Sequence, residues 1–415
     1  MNIKILPSLL NGEVTVPPSK SAAHRALICA ALAEGTSRVT PFCTSKDIKA
    51  TVACLKSLGM EVKEDKDGYT LGRKSVANSA LLDFNESGST ARFLLPVTAA
   101  LGCSATATGQ GRLPERPMDV LTSLLREHGV EVSSDKLPIT LKGKMNSGIF
   151  ELPGNISSQY ISGLMLAAPL MEGDTYINPT TLLESVGYID MTIDAMRRQG
   201  VIVEQTDNGW KISANQKYKP ADTVIEGDWS QAAFFMSAAA IGGDIKIGGL
   251  DFSSNQGDMA ALDVFAAFGA DILVADNVLH IKKGTLRGIE VNAAHIPDMV
   301  PAIAATAAYA TGVTTIKGAE RLRIKESDRI KTTIAALRAM GVRCEEKPDG
   351  MIIYGGEVKG GVIDGANDHR IVMAFSVAAA YAVGETTITG AQAINKSYPE
   401  FFEDIKKLGG KADEV

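Results

Sequence analysis

Residues 337–345 read LRAMGVRCE: a short helical pattern that stops at Gly341 and runs straight into a β-branched, acidic strand pattern. The same phrase recurs as LKSLGMEV (55–62), LLREHGVEV (124–132), MRRQGVIVE (196–204), FAAFGADIL (265–273) and IKKLGGKAD (405–413). Its glycines, Gly59, Gly129, Gly200, Gly269, Gly341 and Gly409, stand about 70 residues apart and read as left-handed helix stops. A second series of Ala-rich helices ends at Gly35, Gly102, Gly173, Gly243, Gly312 and Gly384, and strand-like segments such as TTIKG and TTITG follow. One unit is therefore strand, helix, strand, helix, then two strands around a turn such as Asp349-Gly350.

Six such units account for nearly all of the 415 residues. The period is too long for an ordinary solenoid, and the Ala-rich helices read as buried on most faces. Compact domains of three units each fit the usual domain size, with a hinge near residues 222–230. The expected division is 13–225 for one domain and 1–12 plus 226–415 for the other. Repeat arithmetic alone leaves open which domain takes residues 1–12.

Composition narrows the function. Hydrophobic residues make up 45% and charged residues 22%, without a membrane-length apolar run, as in a soluble globular protein. A net charge of -6 argues against non-specific binding to nucleic acid or to an anionic membrane. The five cysteines, Cys29, Cys43, Cys54, Cys103 and Cys344, form no Cys-x-x-Cys pair, which points to reduced thiols and a cytoplasmic location. The N-terminal stretch lacks a signal-peptide pattern, so no export is expected. His24, His128, His280, His295 and His369 have no helical pair spacing, so no metal centre is expected.

Polar residues recur at two phases of the repeat. Before the Ala-rich helices stand Ser19-Lys20-Ser21, Ser87-Gly88-Ser89, Ser157-Ser158-Gln159, Asp228-Trp229-Ser230, Pro297-Asp298 and Asp368-His369-Arg370. Before the second helices stand Ser45-Lys46-Asp47, Glu115-Arg116, Glu184-Ser185, Gln256-Gly257-Asp258, Lys325-Glu326-Ser327-Asp328-Arg329 and Lys396-Ser397. Helix capping accounts for Ser45, Asp47, Asp228 and Asp258. It does not account for Lys20, Arg25, Arg116, Lys325, Arg329, Arg370 and Lys396, because cations oppose the helix dipole where no anion is present. Their recurrence predicts phosphate or carboxylate ligands at several helix starts. Arg126, Arg197 and Lys406 read as surface charges. Asp298 can be a cap or a base. Glu326, between Lys325 and Arg329, can be an ion-pair partner or a proton-transfer group, and His369 stands on similar terms. His24, His128 and His280 read as structural or exposed.

The runs PPSKSAAHRAL (17–27), ESGSTARFLLP (86–96), RLPERPMDVL (112–121), ISSQYISGLMLAAPL (156–170), HIPDMVPAIA (295–304), RIKESDRI (323–330), NDHRIVMAF (367–375) and KSYPEFF (396–402) resemble the 5-enolpyruvylshikimate-3-phosphate synthase family. The resemblance implies an inside-out α/β barrel in each of two similar domains, three βαβαββ units around a pseudo-threefold axis, with the active site in the cleft between them. It implies transfer of the enolpyruvyl group of phosphoenolpyruvate to the 5-hydroxyl of shikimate 3-phosphate by addition and elimination, releasing phosphate. The matching positions make Lys20, Gly88, Arg116, Gln159, Arg329, Arg370 and Lys396 the phosphoenolpyruvate site. Ser21, Arg25, Ser157, Ser158, Gln159, Ser185, Asp298 and Lys325 match the shikimate 3-phosphate site. Asp298 is implied to take the hydroxyl proton and Glu326 to serve proton transfer at C3, with Lys20, His369 and Lys396 supporting the electrostatics. No metal or organic cofactor is implied, and a monomer is expected.

The family often reads Gly-Asn-Ser-Gly-Thr at its glycine loop, where this chain has Asn85-Glu86-Ser87-Gly88-Ser89. Glu86 beside an anion site weakens phosphate binding unless it turns away or pairs with a cation such as Arg92. That departure bears on sensitivity to glyphosate, which competes with phosphoenolpyruvate in this family. Two rival readings differ in class or substrate. A UDP-N-acetylglucosamine enolpyruvyl transferase typically has a reactive cysteine in the loop that here reads Gln110-Gly111-Arg112-Leu113-Pro114-Glu115. A non-catalytic clamp around nucleic acid would have no use for Asp298, Glu326 and His369 among its cations.

Overall fold

The computed structural model describes residues 1–415. The chain forms two compact units, Pro18–Ile225 and a discontinuous one made of Met1–Pro17 with Glu226–Val415. The expected boundary at residue 13 therefore moves to 18.

The reason is an exchange of strands where the chain passes between units. The strand Asn11–Thr15 pairs in parallel with Asp244–Gly248, from Asn11 opposite Asp244 to Thr15 opposite Gly248, so residues 13–17 go with the discontinuous unit. In return, Thr223–Val224 pairs in parallel with Ser37–Thr40 and completes a sheet of the 18–225 unit. The strand Ile3–Leu6 lies between Thr386–Thr389 and Lys411–Glu414, antiparallel to both, and supplies the strand that the sixth repeat lacks.

Each repeat becomes one four-stranded sheet, six in all. The pattern is clearest at Ser79–Asp83 and Ser104–Thr108, a parallel pair joined through a helix, followed by Ile139–Lys142 and Glu131–Val132 in antiparallel register. The parallel pair needs a crossover helix, which is the Ala-rich helix Gly88–Leu101. The predicted stops at Gly59, Gly129, Gly200, Gly269, Gly341 and Gly409 all have φ between 76° and 94° or, at Gly269, 100°.

The Ala-rich helices fill the two cores. In the discontinuous unit every residue of Trp229–Ile241, Val300–Ala307 and His369–Ala380 is buried. Alanine permits such helices to approach closely, and burial on all sides removes the need for a polar stripe. In the 18–225 unit, Gly163 on helix Ser158–Ala167 faces Pro96 and the carbonyl of Arg92 on helix Gly88–Leu101; a methyl group at Gly163 would strike that backbone. The remaining helices, such as Lys46–Ser57 and Arg329–Ala339, bury one face between a strand of their own sheet and the first strand of the next. No helix is long and apolar enough to cross a membrane.

Candidate active site

In the discontinuous unit the predicted cations and acids form one knot at helix starts. Arg329 opens helix Arg329–Ala339, is 1% exposed, and meets three carboxylates. Its Nε donates to Asp368 Oδ2 at 2.8 Å, Nη1 to Asp298 Oδ1 at 2.9 Å and Nη2 to Glu326 Oε2 at 2.7 Å. The other Asp298 oxygen accepts from Arg370 Nη2 at 2.8 Å, and Lys325 Nζ stands 3.8 Å from Asp298 Oδ1. Asp368 caps helix His369–Ala380 by accepting from the Arg370 backbone N–H, and Ser327 Oγ donates to it at 2.9 Å. His369 Nδ1 is 3.9 Å from Asp368 Oδ1, and Lys396 Nζ donates to the Asn367 carbonyl at 2.6 Å.

This packing sets the titration of the groups. Burial alone would raise the Asp298 carboxyl, but Arg370, Lys325 and Arg329 outweigh it and hold it far below the usual carboxylate range. Burial pushes the Lys325 ammonium down to about 8 against the opposing pull of Asp298. The Arg329 guanidinium is raised: burial opposes its charge, but Asp368, Glu326 and Asp298 together prevail.

Asp258 is a correction to the capping account. It lies within the short helix Gly257–Ala260 rather than at its N-cap, which is Gln256, and takes the hydroxyl of Ser230 from the first turn of Trp229–Ile241. Burial, then the charge of Asp298, raises its carboxyl to about 6. Ser45 and Asp228 do cap, bonding the N–H groups of Ile48 and Gln231. Asp47 is a further correction, since it lies in the first turn behind the cap Ser45 and its Oδ2 holds Lys20 Nζ at 2.8 Å.

In the 18–225 unit, Lys20, Gly88 and Ser158 open three helices capped by Ser19, Ser87 and Ser157. A methyl group added to Gly88 would lie 2.6 Å from Arg116 Nη1 and 2.8 Å from Arg92 Nη1, so two guanidinium groups converge on the glycine. Helix-start N–H groups beneath two guanidinium groups suit an anion. Gln159 is held on both sides, accepting from Arg92 Nη1 at 2.9 Å and donating to Ser89 Oγ at 2.8 Å. Ser185 takes a left-handed conformation, φ 56°, at the start of Val186–Arg198. Ser21 remains half-buried on the first turn of Lys20–Leu32.

Arg25 is placed differently from the other cations. Its guanidinium donates to Thr192 Oγ1, Ser162 Oγ and the carbonyls of Ser21 and Tyr188, tying three helices together inside the unit. Of its five N–H groups, four are used in this way. Arg92, which the cation pattern passes over, stands one turn into its helix and reaches the loop from there. Glu86 turns toward residues 110–111: its carboxylate lies where a side chain on Gly111 would go, and the Gln110 N–H bonds the Asn85 carbonyl at 2.7 Å. Arg92 is thus engaged by Gln159. Cys103 is buried, and burial raises its thiol, the opposite of a reactive nucleophile.

A family model described as EPSP synthase (3-phosphoshikimate 1-carboxyvinyltransferase) matches residues 6–405. The 3-phosphoshikimate 1-carboxyvinyltransferases of Clostridium novyi (strain NT) and Clostridium acetobutylicum are each 43% identical to the chain, over 430 and 422 positions. Those alignments cover 100% and 99% of this chain and 98% of each relative. Among solved structures, an EPSP synthase from Acinetobacter baumannii matches with a TM-score of 0.83 at 29% identity, covering 100% of both chains. The enolpyruvyl transferase NikO from Streptomyces tendae shares the fold, with a TM-score of 0.81 at 18% identity, over 100% of this chain and 98% of that one.

Proposed function

The chain belongs to the EPSP synthase family, and on that premise we propose that its two sets of helix-start residues act on one phosphoenolpyruvate and one shikimate 3-phosphate. It is a 3-phosphoshikimate 1-carboxyvinyltransferase, and the UDP-N-acetylglucosamine and scaffold readings give way to this one. The observation that carries the assignment of roles is the pairing of Asp298 with Arg329 and Arg370. Its partners are the groups that an incoming phosphate or carboxylate would claim. A phosphate-release assay with shikimate 3-phosphate and with UDP-N-acetylglucosamine as acceptors tests the activity; release with only the second would overturn it.

In the proposed mechanism, Lys20, Arg116, Gln159 and the Gly88 backbone hold phosphoenolpyruvate from one residue set, and Arg329, Arg370 and Lys396 from the other. Ser21, Ser157, Ser158, Gln159, Ser185 and Lys325 hold shikimate 3-phosphate, with the remaining N–H of Arg25. Asp298 is a poor base while three cations surround it. When the anionic substrate draws off Arg329 and Arg370, its proton affinity rises and it takes the proton of the 5-hydroxyl. The freed oxygen bonds to C2 as Glu326, freed from Arg329 by the same substrate and protonated from solvent, gives its proton to C3; return of a C3 proton to Glu326 then expels phosphate, which takes up the proton held by Asp298. Lys20, His369 and Lys396 stabilise the charge that develops. These steps are proton transfers and anion stabilisation, which the named side chains can supply without a metal or organic cofactor. The enzyme is proposed to work as a monomer in the cytoplasm.

The Lys325 ammonium gives a pH prediction. Between pH 7 and pH 9 it loses its charge, so the KM for shikimate 3-phosphate is expected to rise roughly tenfold, with little change below pH 7. Lys325→Arg, which stays charged, is expected to flatten the profile; an unchanged slope in that variant would remove Lys325 from the binding step. A second prediction concerns the crowded glycine. Gly88→Ala forces the Arg116 and Arg92 guanidinium ends to move, and is expected to raise the glyphosate inhibition constant by roughly tenfold or more, about one charge-assisted hydrogen bond. Turnover is expected to persist. Equal inhibition of the variant and the parent would place glyphosate elsewhere.

A further inference from the structure

Among the buried titratable side chains that the mechanism does not use is one beside the Lys20 helix start. His24 stands one turn beyond Lys20 on helix Lys20–Leu32 and is fully buried. Its Nε2 has no partner, and its ring meets Phe93 edge-on with centroids 6.3 Å apart. Leucine would fill such a space without leaving a ring nitrogen unpaired. What the imidazole adds is Nδ1, which lies 2.8 Å from Thr51 Oγ1.

From Thr51 a chain of buried hydroxyls crosses to a third helix. Thr51 Oγ1 lies 2.7 Å from Thr90 Oγ1, and Thr90 Oγ1 donates to Ser87 Oγ at 2.7 Å. Each hydroxyl has one proton to give, so counting fixes the direction. Thr90 gives its proton to Ser87 and accepts from Thr51; Thr51 has then given its own and accepts from His24. The proton is therefore assigned to Nδ1, and His24 heads the chain. Burial, reinforced by the Lys20 and Arg25 charges, keeps the imidazole neutral. The far end, Ser87, caps the helix that opens at Gly88.

A second rung joins the same two helices one turn earlier. Lys20 Nζ and Asp47 Oδ2 are 2.8 Å apart, and both Lys20/His24 and Asp47/Thr51 are i,i+4 pairs. The outer rung is an ion pair at the helix starts, and the inner rung is the buried imidazole and hydroxyl.

We propose that His24 is a positioning residue for the phosphoenolpyruvate site: its Nδ1–H heads a one-way hydroxyl chain that locks the helix start bearing Lys20 to the helix start at Gly88. This rests on the placement of Lys20 and Gly88 in that site. The chain sets the distance between two binding groups that lie 68 positions apart in sequence.

Steady-state kinetics of the full-length enzyme with both substrates test it. Absence of turnover in the unsubstituted enzyme would defeat the proposed function; the variants are compared only against measured parent turnover. His24→Leu is expected to raise the KM for phosphoenolpyruvate roughly tenfold, the loss of about one buried hydrogen bond, while the KM for shikimate 3-phosphate stays within about twofold. His24→Asn, whose amide nitrogen falls near the Nδ1 position, is expected to restore most of the loss. Thr51→Val, nearly isosteric, interrupts the chain at its middle and is expected to match His24→Leu, with the double variant no worse than either. Should His24→Leu fail to fold, Thr51→Val decides alone. An unchanged KM for phosphoenolpyruvate in Thr51→Val, equal rises in both KM values, or no rescue by His24→Asn would overturn the proposal.

Discussion

Asp298→Asn is expected to lower turnover by roughly 100-fold or more, because general-base assistance commonly contributes that much. The same substitution is expected to leave the KM for phosphoenolpyruvate equal or lower. Asp298 bonds Arg329 and Arg370 in the free protein at 2.9 and 2.8 Å, so removing its charge leaves both guanidinium groups more available to an anion. The combination is diagnostic. A residue that served only as a counter-ion would change KM and leave turnover within a few-fold. Glu326→Gln is expected to act on a different atom, suppressing solvent-deuterium incorporation at C3 under conditions where the parent enzyme exchanges. Near-normal exchange in Glu326→Gln, together with its loss in Asp298→Asn, would reverse the two assignments.

The cations of this site were legible in the sequence because they break a local rule. Lys or Arg at a helix start opposes the dipole, and the anomaly recurs at one phase of the repeat. The helix stops were legible for a similar reason, as the six predicted glycines all need positive φ. The second glycine series was read less well. Gly102 caps its helix with positive φ, but the helices expected to stop at Gly35, Gly173, Gly243, Gly312 and Gly384 end earlier, at Leu32, Ala167, Ile241, Ala307 and Ala380. The partners of the cations were hidden by distance along the chain. Asp47 meets Lys20 from 27 positions away, and Gln159 meets Arg92 from 67. Nothing local separates Asp258 from Asp228: both read as caps, and only burial against Ser230 sets Asp258 apart. The limit expected at residue 13 moved to 18 for the same reason. Asn11–Thr15 and Thr223–Val224 both stand ahead of a capped helix, and which sheet each joins is decided by tertiary pairing.

Arg329→Met is expected to destabilise the discontinuous unit by about 3–5 kcal/mol, the usual cost of breaking a buried ion pair from one side. The argument turns on what is left behind. Arg329 is nearly inaccessible, and its three nitrogens serve Asp368, Asp298 and Glu326. Asp298 keeps Arg370 and Lys325 in the variant, but Asp368, itself fully buried, keeps only neutral donors in Ser327 Oγ and the Arg370 N–H among these bonds. Arg329→Lys is expected to fall between, since an ammonium cannot reproduce the planar fork that meets three carboxylates. The loss has a pH signature with a definite sign. The Asp298 carboxyl lies below its unfolded value in the intact protein, so the stability it contributes is present above about pH 4 and is lost as pH falls below that. The gap between parent and variant is therefore expected to stay wide from pH 7 to about pH 4 and to narrow below pH 4, as the carboxylates take up protons. Thermal unfolding of both proteins across this range measures it. A gap that stayed constant from pH 7 to about pH 2.5 would show that Arg329 stabilises the unit by packing alone, with its three ion pairs contributing nothing net.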